Sequence, residues 1–289
     1  MSISKKIDFA VVLTVKNANP NGDPLNGNRP RVNYDGLGEI SDVCIKRKIR
    51  NRIMRMARDG ENGQDILVQS DDNKVDECTS IKARIDASGL KTEAKDFKQK
   101  ACAKWFDVRA FGQIFPFKGK TKGEGVSIPV RGPVSVHPAF SIEPVTVSSI
   151  QITKSTNLED TKDGKRGADT MGMKHRVDQG TYVFYGSINA QLASDKTGTG
   201  FSDDDAKHLK EALRTLFEND VSSARPDGSM AVEKLIWWEH SCPSGDVSSA
   251  KVHGKLADAM ETGAELTKEA LSLNFGEQSK LIPEIVEGF

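Results

Sequence analysis

The first apolar pattern along the chain has a period of two. Ile7, Phe9, Val11, Leu13 and Val15 alternate with Asp8, Ala10, Val12, Thr14 and Lys16, the spacing of a strand. Residues 17–31 read Asn-Ala-Asn-Pro-Asn-Gly-Asp-Pro-Leu-Asn-Gly-Asn-Arg-Pro-Arg, too dense in Asn, Pro and Gly for a regular element, and predict a loop. After Ser41 the period changes. Ile45, Ile49, Ile53 and Met56 lie on one narrow helical stripe. Ser41 is placed as N-cap, Asp42 suits the first turn, Ile40 and Ile45 stand as a hydrophobic staple, and Asp59-Gly60 supplies the stop.

Alternation returns at Val126, Ile128 and Val130, and again out of phase at Val134 and Val136, so Gly132-Pro133 is expected to be a bulge. Val145 to Ile152 reads as a strand with a phase change at Ser148-Ser149, and Tyr182 to Leu192 as another. Ser202 caps a second helix with its stripe at Ala206, Leu209, Leu213, Leu216 and Phe217, and Ala231 to Glu239 forms a last strand. Two stretches resist a periodic reading. Residues 60–125 are charged and Gly-containing around an apolar-aromatic piece, Trp105 to Phe117, and read as an insertion. Residues 153–180 are polar and Gly-rich, ending in Met171-Gly-Met-Lys-His-Arg176; a loop of this length in a compact domain usually has a job or is disordered. Beyond 250 only a faint helical pattern remains. Without the insertions the order is strand, helix, two strands, helix, strand. That is the α+β, ferredoxin-like βαββαβ arrangement in a single domain spanning 1–289, shared by RNA-recognition modules and many unrelated proteins.

Charge changes this picture more than composition does. Lys+Arg and Asp+Glu both number 41, giving a formal net charge of zero. Residues 1–60 nevertheless hold 12 basic against 6 acidic side chains, and residues 201–289 hold 9 against 17. A chain with a basic and an acidic end can steer a polyanion to one face or offer complementary patches to another copy of itself; solvated surfaces of no consequence are the plain alternative. The first helix carries Lys46, Arg47, Lys48, Arg50, Arg52, Arg55 and Arg58, opposed within it only by Asp42. Like charges at i,i+4 repel, and a polynucleotide would relieve that repulsion with counterion release; a solvated basic face is the other reading. The Asn-rich loop before the helix adds backbone N–H groups, amides, Arg29 and Arg31, groups suited to phosphate and ribose oxygens.

Enzyme motifs are absent: no phosphate-binding Gly-x-x-x-x-Gly-Lys loop, no Gly-x-Ser-x-Gly elbow, no His-Glu-x-x-His. Cys44, Cys78, Cys102 and Cys242 are far apart, with no Cys-x-x-Cys pair and no His nearby at ligand spacing, which argues against structural zinc and disulfides and for a reduced, cytoplasmic protein. No metal or cofactor is expected; Asp203-Asp204-Asp205 reads as an acidic helix start. His175, between Lys174 and Arg176, suits phosphate or base contact better than proton transfer, which needs a positioned partner. No run approaches the roughly 18 apolar residues of a membrane span, and no signal peptide is read at the N-terminus.

Asn19-Pro-Asn-Gly-Asp-Pro24, Asn28-Arg-Pro-Arg31, Asp107-Val-Arg-Ala-Phe-Gly112, Arg131-Gly-Pro-Val134 and Met173-Lys-His-Arg176 together resemble the backbone subunit of type I CRISPR interference (Cascade) complexes. This is the seventh Cas family of the RAMP superfamily, and the pattern looks most like subtype I-C. The resemblance runs from Ile7 to about His240. It implies a modified RRM-like palm with inserted fingers at 60–125 and a thumb at 153–180. It also implies copies stacked head to tail along a guide (CRISPR) RNA, target DNA met through RNA pairing, and other Cascade subunits as partners. Asn19, Asn21, Arg29, Arg31, Lys46, Arg47, Arg50 and Arg131 would line the palm groove, with Met173, Lys174, His175 and Arg176 at the base of the thumb. A guide carries any sequence, so its holder is expected to grip phosphates and not read bases; aromatics, at 6%, show no RRM stacking pair. Two rivals stand beside this non-catalytic reading. One is a type III-like endoribonuclease using Asp23 or Asp35, and the other is a protein-interaction module that binds no RNA.

Overall fold

The computed structural model describes residues 1–58, 65–92, 94–117, 126–153, 171–194 and 197–289. β1 (Ile7–Ala18) leads into a loop holding the short pair β2 (Gly22–Asp23) and β3 (Arg29–Pro30), then β4 (Leu37–Ile40) and α1 (Asp42–Arg58). α2 (Ile81–Ala87), α3 (Phe97–Lys104), α4 (Phe106–Phe111) and the hairpin β5 (Gly112–Phe117) and β6 (Val126–Arg131) follow. Next come β7 (Val134–Val136), β8 (Ala139–Pro144), β9 (Val147–Thr153), β10 (Met171–Ile188), α5 (Ala190–Ala193), α6 (Asp203–Arg214) and β11 (Met230–Glu239). The chain ends with α7 (Ser249–Glu261), β12 (Leu273–Asn274), β13 (Lys280–Leu281) and β14 (Glu284–Glu287).

One antiparallel eight-stranded sheet organises a mixed α/β body, in the order β14-β11-β1-β10-β8-β4, with β7 and β9 also on β10. The alternation in β1 has a two-sided consequence. Phe9, Val11, Leu13 and Val15 pack with Ile45, Ile49 and Ile53 of α1 and Leu209 and Leu213 of α6. Ala10 and Val12 face the other way, against Val252 and Leu256 of α7. Both faces of the central strands are therefore covered, the second by the tail whose helical pattern was faint. Among the described residues no helix is long and apolar enough to cross a membrane.

Three expectations need correction. Gly132-Pro133 is not a bulge within one strand but a switch between sheets: β6 pairs with β5, whereas β7 pairs with β10. The crossing is so tight that a Cβ on Gly132 would lie 2.3 Å from the Ala110 carbonyl oxygen, which only glycine permits. Met171 to Gly180 are not loop but strand, with Met171–Val177 paired to Thr153–Val147. Both faces of this ribbon are largely open to solvent, so no apolar alternation betrays it; residues 154–170 lie outside the described residues. Leu192 belongs to α5, since β10 ends at Ile188. The weakly patterned 60–125 stretch has a core of its own, Leu67, Ile85, Phe97, Trp105, Val108 and Phe115 among its members.

Candidate functional site

The Asn-rich loop is braced from within. Asn19, only 4% exposed, donates from Nδ2 to the Asn28 carbonyl at 2.7 Å and from its backbone N–H to the Ala224 carbonyl at 2.9 Å. Asn21 Oδ1 accepts from the Ser41 backbone N–H and hydroxyl, both at 2.9 Å, which ties the loop to the start of α1. Asp23 accepts from the Leu25 N–H at 3.2 Å to open a 3-10 turn and lies 3.4 Å from Arg31 Nη2. Gly27 and Asn28 take φ of 57° and 59°, a region Gly and Asn occupy with least strain. Asp35, at the exposed tip of the next turn, belongs to no group of three metal-ligating side chains among the described residues.

The loop's outer end meets the β9–β10 ribbon. Arg29 Nη1 donates to Ser149 Oγ at 2.7 Å and stands 3.5 Å from His175 Nδ1; Ser149 and His175 face each other across the ribbon, 2.8 Å apart. The pairing of β10 with β1 stops at Val177 and Ala18. From Met171 to Arg176, β10 thus has, among the described residues, β9 as a strand neighbour on one side only. A cleft of about 290 Å³ is lined there by Asn19, Gly27, Asn28, Ile152, Met173, Lys174 and His175, and also by Ser223 and Ala224. Met173 and Lys174 are exposed, and Arg176 faces Asp178 at 3.6 Å. Arg29 contacts a hydroxyl and a ring nitrogen here, not a carboxylate, so its guanidinium and the exposed Lys174 ammonium give the cleft a positive rim.

The cations of α1 are elsewhere and are mostly occupied. Within α1 only Asp42 opposes these charges, but the fold supplies further partners from outside the helix. Lys46 does pair with Asp42 at 3.1 Å. But Arg50 Nε donates to the buried Asp107 at 2.9 Å, Lys48 pairs with Asp220, and Arg52 donates to the Thr215 hydroxyl at 2.7 Å. Arg47 donates to the Val68 carbonyl at 3.0 Å and Arg55 to the Asn73 side chain at 3.2 Å. Burial holds the Lys48 ammonium below the usual lysine pKa, against the opposing pull of Asp220. The side chain of Arg58 lies outside the described residues.

Of the twelve residues singled out from sequence, the structure brings Asn19, Arg29, Met173, Lys174 and His175 to one place, with Asn21, Arg31 and Arg176 close behind them in the same loop and ribbon. Lys46, Arg47 and Arg50 lie on α1, and the last two face the inserted segment. Arg131 is exposed but separate. It precedes β7, whose Val134 pairs with Ile188 at the far end of β10, roughly 35 Å along the strand from Val177. One motif, Asp107 to Gly112, has an internal explanation. Asp107 accepts from the Leu67 and Val68 N–H groups at 2.8 and 3.0 Å, and Arg109 grips Asp205 through two nitrogens at 2.9 and 2.7 Å. The wall at Ser223 and Ala224 was missed, since small side chains in a turn carry no sequence signal.

A relative from Haloferax volcanii, described as CRISPR-associated protein Cas7, is 26% identical over 240 residues, covering 77% of this chain and 67% of that protein. A solved chain from a CRISPR RNA-guided surveillance complex in a pre-nicking state shares the fold with a TM-score of 0.50 at 17% identity, over 92% of this chain and 85% of that one. The profile of the family described as CRISPR-associated protein Cas7 matches residues 5–273, and with nearly the whole chain so accounted for, this protein belongs to the Cas7 family.

Proposed function

We propose that the chain is the CRISPR RNA-binding backbone subunit of a type I Cascade-like surveillance complex, of subtype I-C form, which stacks along a guide RNA and leaves its bases free to pair with target DNA. In this reading the β1–α1–β8–β10–α6–β11 body is the modified RRM-like palm, the segment 60–125 the fingers, and the ribbon with residues 154–170 the thumb. The observation that carries it is the cleft, where the Asn19–Arg31 loop and the Met173–Arg176 strand meet under a positive rim. Family membership and the fold shared with a chain of an RNA-guided complex support the same reading.

The physical logic is a grip on backbone, not bases. RRM domains stack bases on an open sheet face, but here α7 covers that face. Amides, guanidinium forks and an ammonium along an open strand edge favour phosphate and ribose oxygens, which carry no sequence information. A subunit with that task needs no catalytic group. The test is the full chain as purified: RNase-sensitive nucleic acid is expected to accompany it. Indifference to RNA of every sequence, alone and with its complex partners, would overturn the proposal. Cleavage of guide-matched RNA with Mg²⁺, lost in Asp23→Ala or Asp35→Ala, would replace it with the nuclease reading.

A further inference from the structure

The part of the cleft lined by Ser223 and Ala224 is connected to a buried charge. Lys48 on α1 is 4% exposed and pairs with Asp220 Oδ2, with the ring of Phe217 5.5 Å from its ammonium. The same Asp220 oxygen receives Arg225 Nε at 3.1 Å. Arg225 and Ser222 close a small turn by reciprocal backbone hydrogen bonds of 2.9 and 3.0 Å. Ser223 and Ala224, inside that turn, line the cleft, and the Ala224 carbonyl receives the Asn19 N–H at 2.9 Å. One carboxylate therefore connects α1, the turn and the Asn-rich loop, yet neither Lys48 nor Asp220 lines the cleft.

Burying an ammonium is costly, and apolar side chains of similar size would often be at least as stable. What an ion pair adds is direction: it fixes where its partners stand. We propose that Lys48, acting through Asp220 and Arg225, is a positioning residue that sets the Ser223–Ala224 wall against the open edge of β10, and so sets how well the cleft holds a polynucleotide backbone. The inference rests on the RNA-binding reading above.

Salt dependence separates positioning from contact, because each phosphate contact contributes about 0.7 to the slope of log K against log salt on a single strand. The full-length chain is titrated with a single-stranded RNA oligonucleotide short enough for one copy, across a range of KCl. Lys48→Met leaves Asp220 paired with Arg225 and is expected to weaken binding roughly 2- to 30-fold, the range for residues that act without touching the ligand. Its slope should match wild type. Arg29→Ala and Lys174→Ala, by contrast, should each lower the slope by about 0.7. Should Lys48→Met not fold, Arg225→Met cuts the same connection at its more exposed end and carries the same expectation. A folded Lys48→Met with wild-type affinity overturns the inference. So does one whose slope falls by about 0.7, because Lys48 would then contact phosphate itself. If Arg29→Ala and Lys174→Ala change neither affinity nor slope, the RNA-cleft reading fails first, and the positioning role with it.

Discussion

Helix α1 and the cleft edge are both rich in positive charge, and the fold uses that charge in opposite ways. On α1 the cations turn inward or sideways to carboxylates, a hydroxyl, an amide and a carbonyl, and they bind the helix to the inserted segment and to the 215–225 stretch. At the cleft, Arg29 rests on a hydroxyl and an imidazole, and Lys174 is exposed beside a strand edge. Charge density in a sequence is therefore not the same as charge available to a ligand. The partner decides, and partners here come from residues far away along the chain.

The sharpest way to break this contrast is Asp107→Ala. Asp107 is 1% exposed and holds Arg50 together with two backbone N–H groups. Its loss leaves a poorly solvated cation and two orphan donors, at a cost of about 3–5 kcal/mol. Denaturant unfolding measures it, and the remaining folded fraction should keep the wild-type salt slope for RNA. A cost under about 1 kcal/mol would show that α1's charges are not structural. Asp76→Asn probes a milder case. The Arg84 guanidinium hydrogen-bonds Asp76 and holds its carboxyl at about 2. A carboxyl depressed by folding adds stability that is present above its unfolded pKa and is lost as pH falls through the folded one. With the pair partly exposed, the effect is about 1 kcal/mol or less. The gap in Tm between wild type and variant should then be full at neutral pH and close as pH falls from about 4 towards 2.

Smaller still is Lys46→Ala, which removes one i,i+4 pair with Asp42 and should cost about 0.3–0.5 kcal/mol in thermal unfolding. Arg29→Ala and Lys174→Ala should move stability least, within about 0.5 kcal/mol, while producing the slope losses described above. A variant that lowered stability and left the slope alone would place that residue with α1 instead.

Legibility followed burial. β1, α1, α6 and β11 announce themselves because each presents an apolar stripe to a common core. The ribbon of β9 and β10 does not, since Ile150, Ile152, Met171 and Met173 are all exposed and neither face is dry. The small core around Trp105 was hidden because its members come from α2, α3, α4 and a hairpin too short for a periodic signal. Among candidate site residues, Asn19, Arg29 and Lys174 are singled out by loop composition and local charge, and the structure brings them to one cleft. For Arg50 a local count hides the partner, because Asp107 lies 57 positions away.

β10 is one strand with two kinds of support. From Val177 to Ile188 it pairs with β1 on one side, and at Tyr182–Val183 and Gly186–Ile188 with β8 and β7 on the other; from Met171 to Arg176 its strand partner among the described residues is β9. Mechanically it is a cantilever built into the centre of the sheet. A load on the Met171–Arg176 part is carried towards Val177, beside the loop that holds Asn19.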